Sequence, residues 1–252
     1  MQIRLTPCIK ILLILNLVIF VIQQTLDQYT QIPFTHYFGL VPDLFLSNFW
    51  IWQVYTYSFL HGDTMHLALN MFMLFFIGLE IEQIWGWKRF FTYYTACCLA
   101  AGVLYLIFQA FVPGASAIPL VGASGGIYGL LIAFGILFGE RTMLFMMLFP
   151  MKAKHFIWIL AGIEFMSTVF SGTRSFLSGI AHMGGMLAGF LYLVVFAYWR
   201  MRQREKAALG PSKKSRSASH LKLVVTKPDD RSGGGGSGGN DESDSNDPKT
   251  WH

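Results

Sequence analysis

Six stretches of the 252-residue chain are almost wholly apolar, and polar residues gather between them. They run at about 8–26, 64–86, 90–112, 124–139, 154–171 and 178–199, and a helix needs about 20 apolar residues to cross a bilayer core. The pattern predicts six membrane-spanning helices. The fourth and fifth are short. At about 1.5 Å per residue, a helix from Ser124 to Gly139 covers ~24 Å of a ~30 Å core, so one of its ends lies below the membrane surface. Between the first two stretches, Asp27 to Thr64 is too broken to span, yet it holds Tyr37, Phe38, Phe45, Phe49, Trp50, Trp52, Tyr55 and Tyr57. Aromatic residues with a polar edge favour the headgroup level. A structured outer loop lying partly in the interface is predicted, with a loose loop on an aromatic anchor as the alternative.

Composition agrees with a membrane protein: 54% of residues are apolar and only 13% charged, too few for a soluble surface. Charge then sets the orientation, because short loops rich in Lys and Arg stay in the cytoplasm. Arg4 and Lys10 precede the first span, Lys88 and Arg89 follow the second, Arg141, Lys152 and Lys154 lie between the fourth and fifth, and Arg200, Arg202, Arg204 and Lys206 follow the sixth. The opposite loops hold only Arg174. Both termini are therefore expected in the cytoplasm, with the fourth and sixth spans entering from the outer face. The first span is longer than a signal-peptide core and lacks a clear cleavage site, so it reads as retained. The basic leader before it is too short for a transit peptide, and a bacterial cytoplasmic (inner) membrane is the expected location. Cys8, Cys97 and Cys98 form no disulfide framework and read as small packing residues.

The chain divides into a six-span membrane domain over residues 1–206 and a tail over 207–252. Lys213, Lys214 and Arg216 continue a basic stretch suited to anionic headgroups. His220 to Lys227 can form one short strand, and a glycine-rich run from Gly233 leads into acidic residues. Such a composition buries no core, so a largely disordered cytoplasmic tail is expected.

Candidate chemistry sits at the outer ends of two spans. Gly122-Ala123-Ser124-Gly125-Gly126 opens the fourth, and Ala181-His182-Met183-Gly184-Gly185 opens the sixth. Small residues also serve ordinary helix packing in lipid. Ser124, however, falls at the first turn of its helix, after a segment with two prolines that suits an extended connection into the protein. Irregular backbone at that depth survives only beside protein or water, so a water-filled cavity is expected there. Free N–H groups at the helix start favour an oxyanion. His182, Gly185 and Gly189 share one helix face, as do Ser124 and Tyr128, so close approach can bring imidazole to hydroxyl. Tyr128 either orients the ring or merely fills space.

His61, His66 and Asn70 precede or enter the second span. His66 and Asn70 are costly facing lipid, so they face inward, either as oxyanion donors or as helix-to-helix bonds. A metal held by His61, His66 and His182 is a weaker alternative without a His-Glu-x-x-His pair. No aspartate occurs within a span, which excludes an aspartyl mechanism with its carboxylate pair. Glu80 and Glu82 are expected to tie down the loop holding Lys88 and Arg89. Glu164 has no role in this reading, and the serine has no evident third partner. A Ser124–His182 dyad remains.

These residues resemble the rhomboid family of intramembrane serine proteases. The resemblance rests on Gly122-Ala123-Ser124-Gly125, on Ala181-His182-Met183-Gly184-Gly185 and on the His61, His66 and Asn70 spacing, and covers roughly residues 8 to 199. It implies an all-α six-helix bundle in which Ser124 attacks, His182 is general base and acid, and His66 and Asn70 help hold the oxyanion, with Gly122 and Tyr128 in support. It implies no cofactor, metal or nucleic acid. The expected partners are the lipid bilayer and single-span or polytopic membrane protein substrates. One departure is Trp52-Gln53, where the family often has Trp-Arg, so the arginine's loop-bracing contacts must be weaker or replaced. A non-proteolytic relative that binds membrane clients is the alternative function. A small transporter is the other class, hinted at only by Glu164.

Overall fold

The computed structural model describes residues 5–30, 33–145, 149–170 and 172–209, and all but the last three of these fall in one compact unit ending at Lys206. The tail from Gly210, with Lys213, Lys214, Arg216 and the strand expected at His220 to Lys227, lies outside the described residues.

The described chain is mostly helical. Its long helices are α1 (Pro7–Tyr29), α2 (Thr64–Trp85), α3 (Trp87–Gln109), α4 (Ser124–Phe138), α5 (Ala153–Phe170) and α6 (Thr173–Leu209). All but α4 are long and apolar enough to cross a membrane. With 15 residues, α4 reaches only ~22 Å. Helix starts follow local chemistry. Pro7 opens α1, where its missing N–H costs nothing. The Asp63 carboxylate caps α2 by accepting the His66 N–H at 2.8 Å. Gly86, at φ +76°, makes the sharp turn from α2 to α3.

One expectation needs correction. Glu82 does not hold the Lys88–Arg89 loop: its carboxylate accepts the Cys8 and Ile9 N–H groups at 3.0 and 2.9 Å and the Thr6 hydroxyl at 2.5 Å, capping α1. Glu80 pairs instead with Arg141. Carboxylates at this depth seek the nearest unsatisfied donors, and the start of α1 offers several together. The connection from α4 to α5, for which the apolar pattern predicts no element, is not helical. It is an antiparallel hairpin, β1 (Thr142–Phe145) and β2 (Phe149–Lys152), pairing Thr142 with Lys152 and Phe145 with Phe149. Glu140 beside it accepts from Lys152 at 2.7 Å and from Lys154, and these hydrogen bonds hold its carboxyl down to about 2. Strands of four residues are too short to show an alternating pattern against neighbouring apolar helices.

The loop between α1 and α2 is structured, through short helical turns at Phe34–Phe38, Pro42–Ser47, Gln53–Thr56 and Tyr57–Phe59. Its aromatic residues stack on one another, Tyr37 on Trp50 at 5.3 Å and Trp50 on Trp52 at 5.6 Å. Gln53 is wholly buried at its centre. Its amide donates to the His36 and Tyr37 carbonyls at 2.9 and 3.3 Å, and its oxygen accepts the Val41 N–H at 3.1 Å. The bracing that an arginine could supply is thus replaced by a neutral amide, which avoids burying a charge.

This loop also holds the segment that leads into α4. Leu40 and Leu120 exchange backbone hydrogen bonds at 3.0 and 2.9 Å, and the Gly122 N–H donates to the Tyr57 carbonyl at 3.0 Å. The segment entering α4 is therefore bonded to the loop at Leu120 and Gly122. Below it α4 lies between α3 and α6 across a seam of small residues. A Cβ on Gly126 would stand 2.5 Å from the Tyr94 ring, one on Gly129 2.3 Å from the Cys97 sulfur, and one on Gly185 1.9 Å from the Gly125 carbonyl oxygen. Buried Cys97 and Cys98 are packing residues in this seam. Across the bundle, the Arg89 guanidinium lies over the Trp85 and Phe196 rings at 4.2 and 3.7 Å, tying α3 to α6.

Candidate active site

Ser124 is the first residue of α4, following Gly122 at φ +125°. That backbone conformation is strained for any side chain, and a Cβ there would also stand 2.8 Å from the His66 ring. Glycine lets the chain turn into the helix with the His66 imidazole pressed against it. The first turn of α4 leaves N–H groups without partners inside the helix, close to the serine.

His182, on α6, meets this serine because Gly185 and Gly189 on the same face allow contact with α4. Its Nε2 lies 2.7 Å from Ser124 Oγ. The Tyr128 ring, one turn along α4 from the serine, stacks on the imidazole with centroids 4.4 Å apart and planes 18° from parallel. The structure thus places the Tyr128 ring against the His182 imidazole.

Sequence reasoning missed a member of this cluster. Glu164, on α5, brings Oε1 to 2.6 Å from His182 Nδ1, and its Oε2 accepts the Tyr128 hydroxyl at 2.5 Å. The serine hydroxyl thus has an imidazole beside it, and the imidazole has a carboxylate. The only signal in the sequence was a lone acid in an apolar span, which says that a partner exists but not which one.

Asn70 is buried on α2, and its Nδ2 has no hydrogen-bond partner. A buried amide donor without an acceptor is costly unless an acceptor arrives later. His61 is buried as well, its ring 5.1 Å from that of His66. Burial, together with the neighbouring His66, pulls the His61 imidazole down to about 3, so it is neutral. Gln23 of α1 holds the His61 backbone from both sides, at 2.9 and 3.1 Å. Among the described residues no group of three His, Cys, Asp or Glu side chains is gathered to hold a metal.

A cavity of about 530 Å³ borders this region. Gln23, Asp27, Asp63, His66, Arg174 and Ser178 are among its lining residues, and Val121 carries it to the residue before Gly122. Polar and apolar side chains line it in about equal measure, and it is partly open.

Comparison with known proteins identifies the family. Residues 48–199 match the model of the rhomboid domain. The mitochondrial rhomboid protein 1 of Saccharomyces cerevisiae is 28% identical over 155 residues, 61% of this chain and 44% of its own length. RHOMBOID-like protein 1 of Arabidopsis thaliana is 29% identical over 173 residues, 66% of this chain and 41% of its own. Rhomboid protease GluP of Bacillus subtilis is 27% identical over 139 residues, 55% of this chain and 25% of its own. The chain thus spans less than half the length of these relatives. They come from a mitochondrion, a plant and a bacterium, so the likeness carries a multi-pass membrane protein but no particular compartment. The matched domain covers more than half of the chain and contains all of α2 to α5 and most of α6, so this chain, an integral membrane protein, belongs to the rhomboid family.

Proposed function

We propose that the chain is an intramembrane serine endopeptidase that cleaves other membrane proteins in or near their transmembrane helices. The observation that carries this reading is the 2.7 Å contact between Ser124 Oγ and His182 Nε2 at the start of a short, protein-walled helix. His182 takes the hydroxyl proton as Ser124 attacks the scissile carbonyl, then returns it to the leaving amine. The developing oxyanion is held by backbone N–H groups at the start of α4, by the Asn70 amide and by His66. Water then hydrolyses the acyl-enzyme, with His182 again as base. The bundle has six spans with both termini in the cytoplasm, supported by the distribution of Lys and Arg, and the site then opens near the outer face.

The test is co-expression with a panel of tagged single-span membrane proteins, alongside the Ser124→Ala and His182→Ala forms. Cleavage by the parent and none by either variant, with all three present in the membrane, is the expected result. Undiminished cleavage by Ser124→Ala would sink the serine mechanism. Capture of tagged proteins without any cleavage would instead favour a client-binding role.

A further inference from the structure

We infer that Glu164 is the positioning residue of a three-member chain, Ser124–His182–Glu164, with Tyr128 as the clamp that holds its carboxylate. The inference rests on the serine protease reading and adds a partner that the dyad lacks.

The geometry makes the assignment. An ionised carboxylate only accepts hydrogen bonds. The two oxygens of Glu164 therefore receive two donors, the His182 Nδ1–H at 2.6 Å and the Tyr128 O–H at 2.5 Å. A proton on Nδ1 leaves the lone pair of neutral imidazole on Nε2, 2.7 Å from Ser124 Oγ. This is the tautomer that can take the serine proton. When it does, the imidazolium gains a negative neighbour, while the carboxylate keeps its charge and takes no proton. The Glu164 and His182 side chains retain only 16% and 14% of their surface, so water weakens the pair little.

The approach of α5 is built for the contact. Gly179 on α6 receives Thr168 of α5 so closely that a Cβ there would stand 1.7 Å from the threonine hydroxyl. Thr168 follows Glu164 by one helical turn, and Gly179 precedes His182 by three residues, so the tight crossing lies beside the carboxylate–imidazole pair. The Thr168 hydroxyl donates to the Glu164 carbonyl at 2.7 Å, joining the two along one face. Among the described residues no Lys or Arg bonds to Glu164. A carboxylate inside an apolar helix is costly, and here its hydrogen bonds go to the imidazole and to the tyrosine stacked on it.

The test uses the purified full chain in detergent, with a fluorophosphonate probe to report the reactivity of Ser124 and a cleaved reporter from the panel for kcat and KM. In soluble serine proteases neutralising the equivalent carboxylate costs about 10⁴ in kcat. Tyr128 already restrains the ring here, so Glu164→Gln is expected to lower kcat and labelling by about 10²–10³, with KM within about threefold. Glu164→Asp, which keeps the charge, should recover at least about tenfold over Gln, an effect that a loss of packing alone would not give. Adding Glu164→Gln to His182→Ala should slow labelling no further, because residues acting as one unit are not additive. Tyr128→Phe keeps the stacked ring but releases the carboxylate, and should slow labelling by about 3–10-fold.

Wild-type rates for Glu164→Gln, no recovery with Asp, or a further loss in the double variant would each overturn the inference. If the Gln protein does not fold, Tyr128→Phe decides, and wild-type labelling of that variant overturns it. Failure of the underlying reading looks different: the parent chain would then go unlabelled at Ser124.

Discussion

A single side chain, Asn70, offers the sharpest test of how the oxyanion is held. Its Nδ2 is buried and has no protein hydrogen-bond partner, so it gives up no protein contact in turning to a carbonyl oxygen that gains charge. Such preorganised donors act mainly in the transition state. Asn70→Ala is expected to lower kcat by about 10²–10³ and to leave KM nearly unchanged, measured on the purified chain with a cleaved reporter. A rise in KM at constant kcat would assign Asn70 to substrate binding. At this scale the sequence was informative wherever chemistry is local. Ser124 could be placed at a helix start from glycines and prolines beside it, and His182 from a glycine stripe on its own face. Glu164 could not, because its partners lie 18 and 36 residues away and no local pattern names them. Gln53 was visible as a departure, but its three hydrogen bonds to the loop backbone depend on a fold that only the whole chain specifies.

Between elements, contact runs through glycine. The meeting of α4 and α6 has no spare volume, since a Cβ on Gly185 would overlap the Gly125 carbonyl and one on Gly189 would lie 3.1 Å from the Gly129 backbone. Gly185→Val must push α6 outward and draw His182 away from Ser124. Misplacing a catalytic group by about 1 Å can cost 10²-fold, so cleavage should fall by about that much or more, with a lower thermal unfolding midpoint. Labelling and cleavage at parental rates would show that the seam can yield. The stripe of glycines was readable because its spacing is that of a helix. The hairpin between α4 and α5 was not, because eight residues with one proline give no period to follow.

For the whole molecule, the apolar pattern found every long helix, and the described bundle has five helices of spanning length with one short one among them. Residues 207–252 were assigned to a separate tail on composition, and from Gly210 they fall outside the described residues. A segment that makes no transition-state contact cannot alter the chemical barrier. Deleting residues 210–252 should leave turnover of a detergent-solubilised substrate within about threefold of the full chain. A tenfold or larger drop, with the same thermal unfolding midpoint, would make the tail part of the working enzyme.

The cavity beside His66 has a consequence of supply for the proposed hydrolysis. Peptide hydrolysis consumes two reactants, and the second is the one that a bilayer excludes. In a soluble protease the solvent delivers it freely; on the proposed reading it reaches the serine by way of this half-open cavity. A chamber of about 530 Å³ lined by Gln23, Asp27, Asp63, Arg174 and Ser178 has room for several water molecules and the partners to keep them. On the proposed reading the cavity supplies the reactant that the bilayer lacks, and the residues that line it bear on how fast the acyl-enzyme is released.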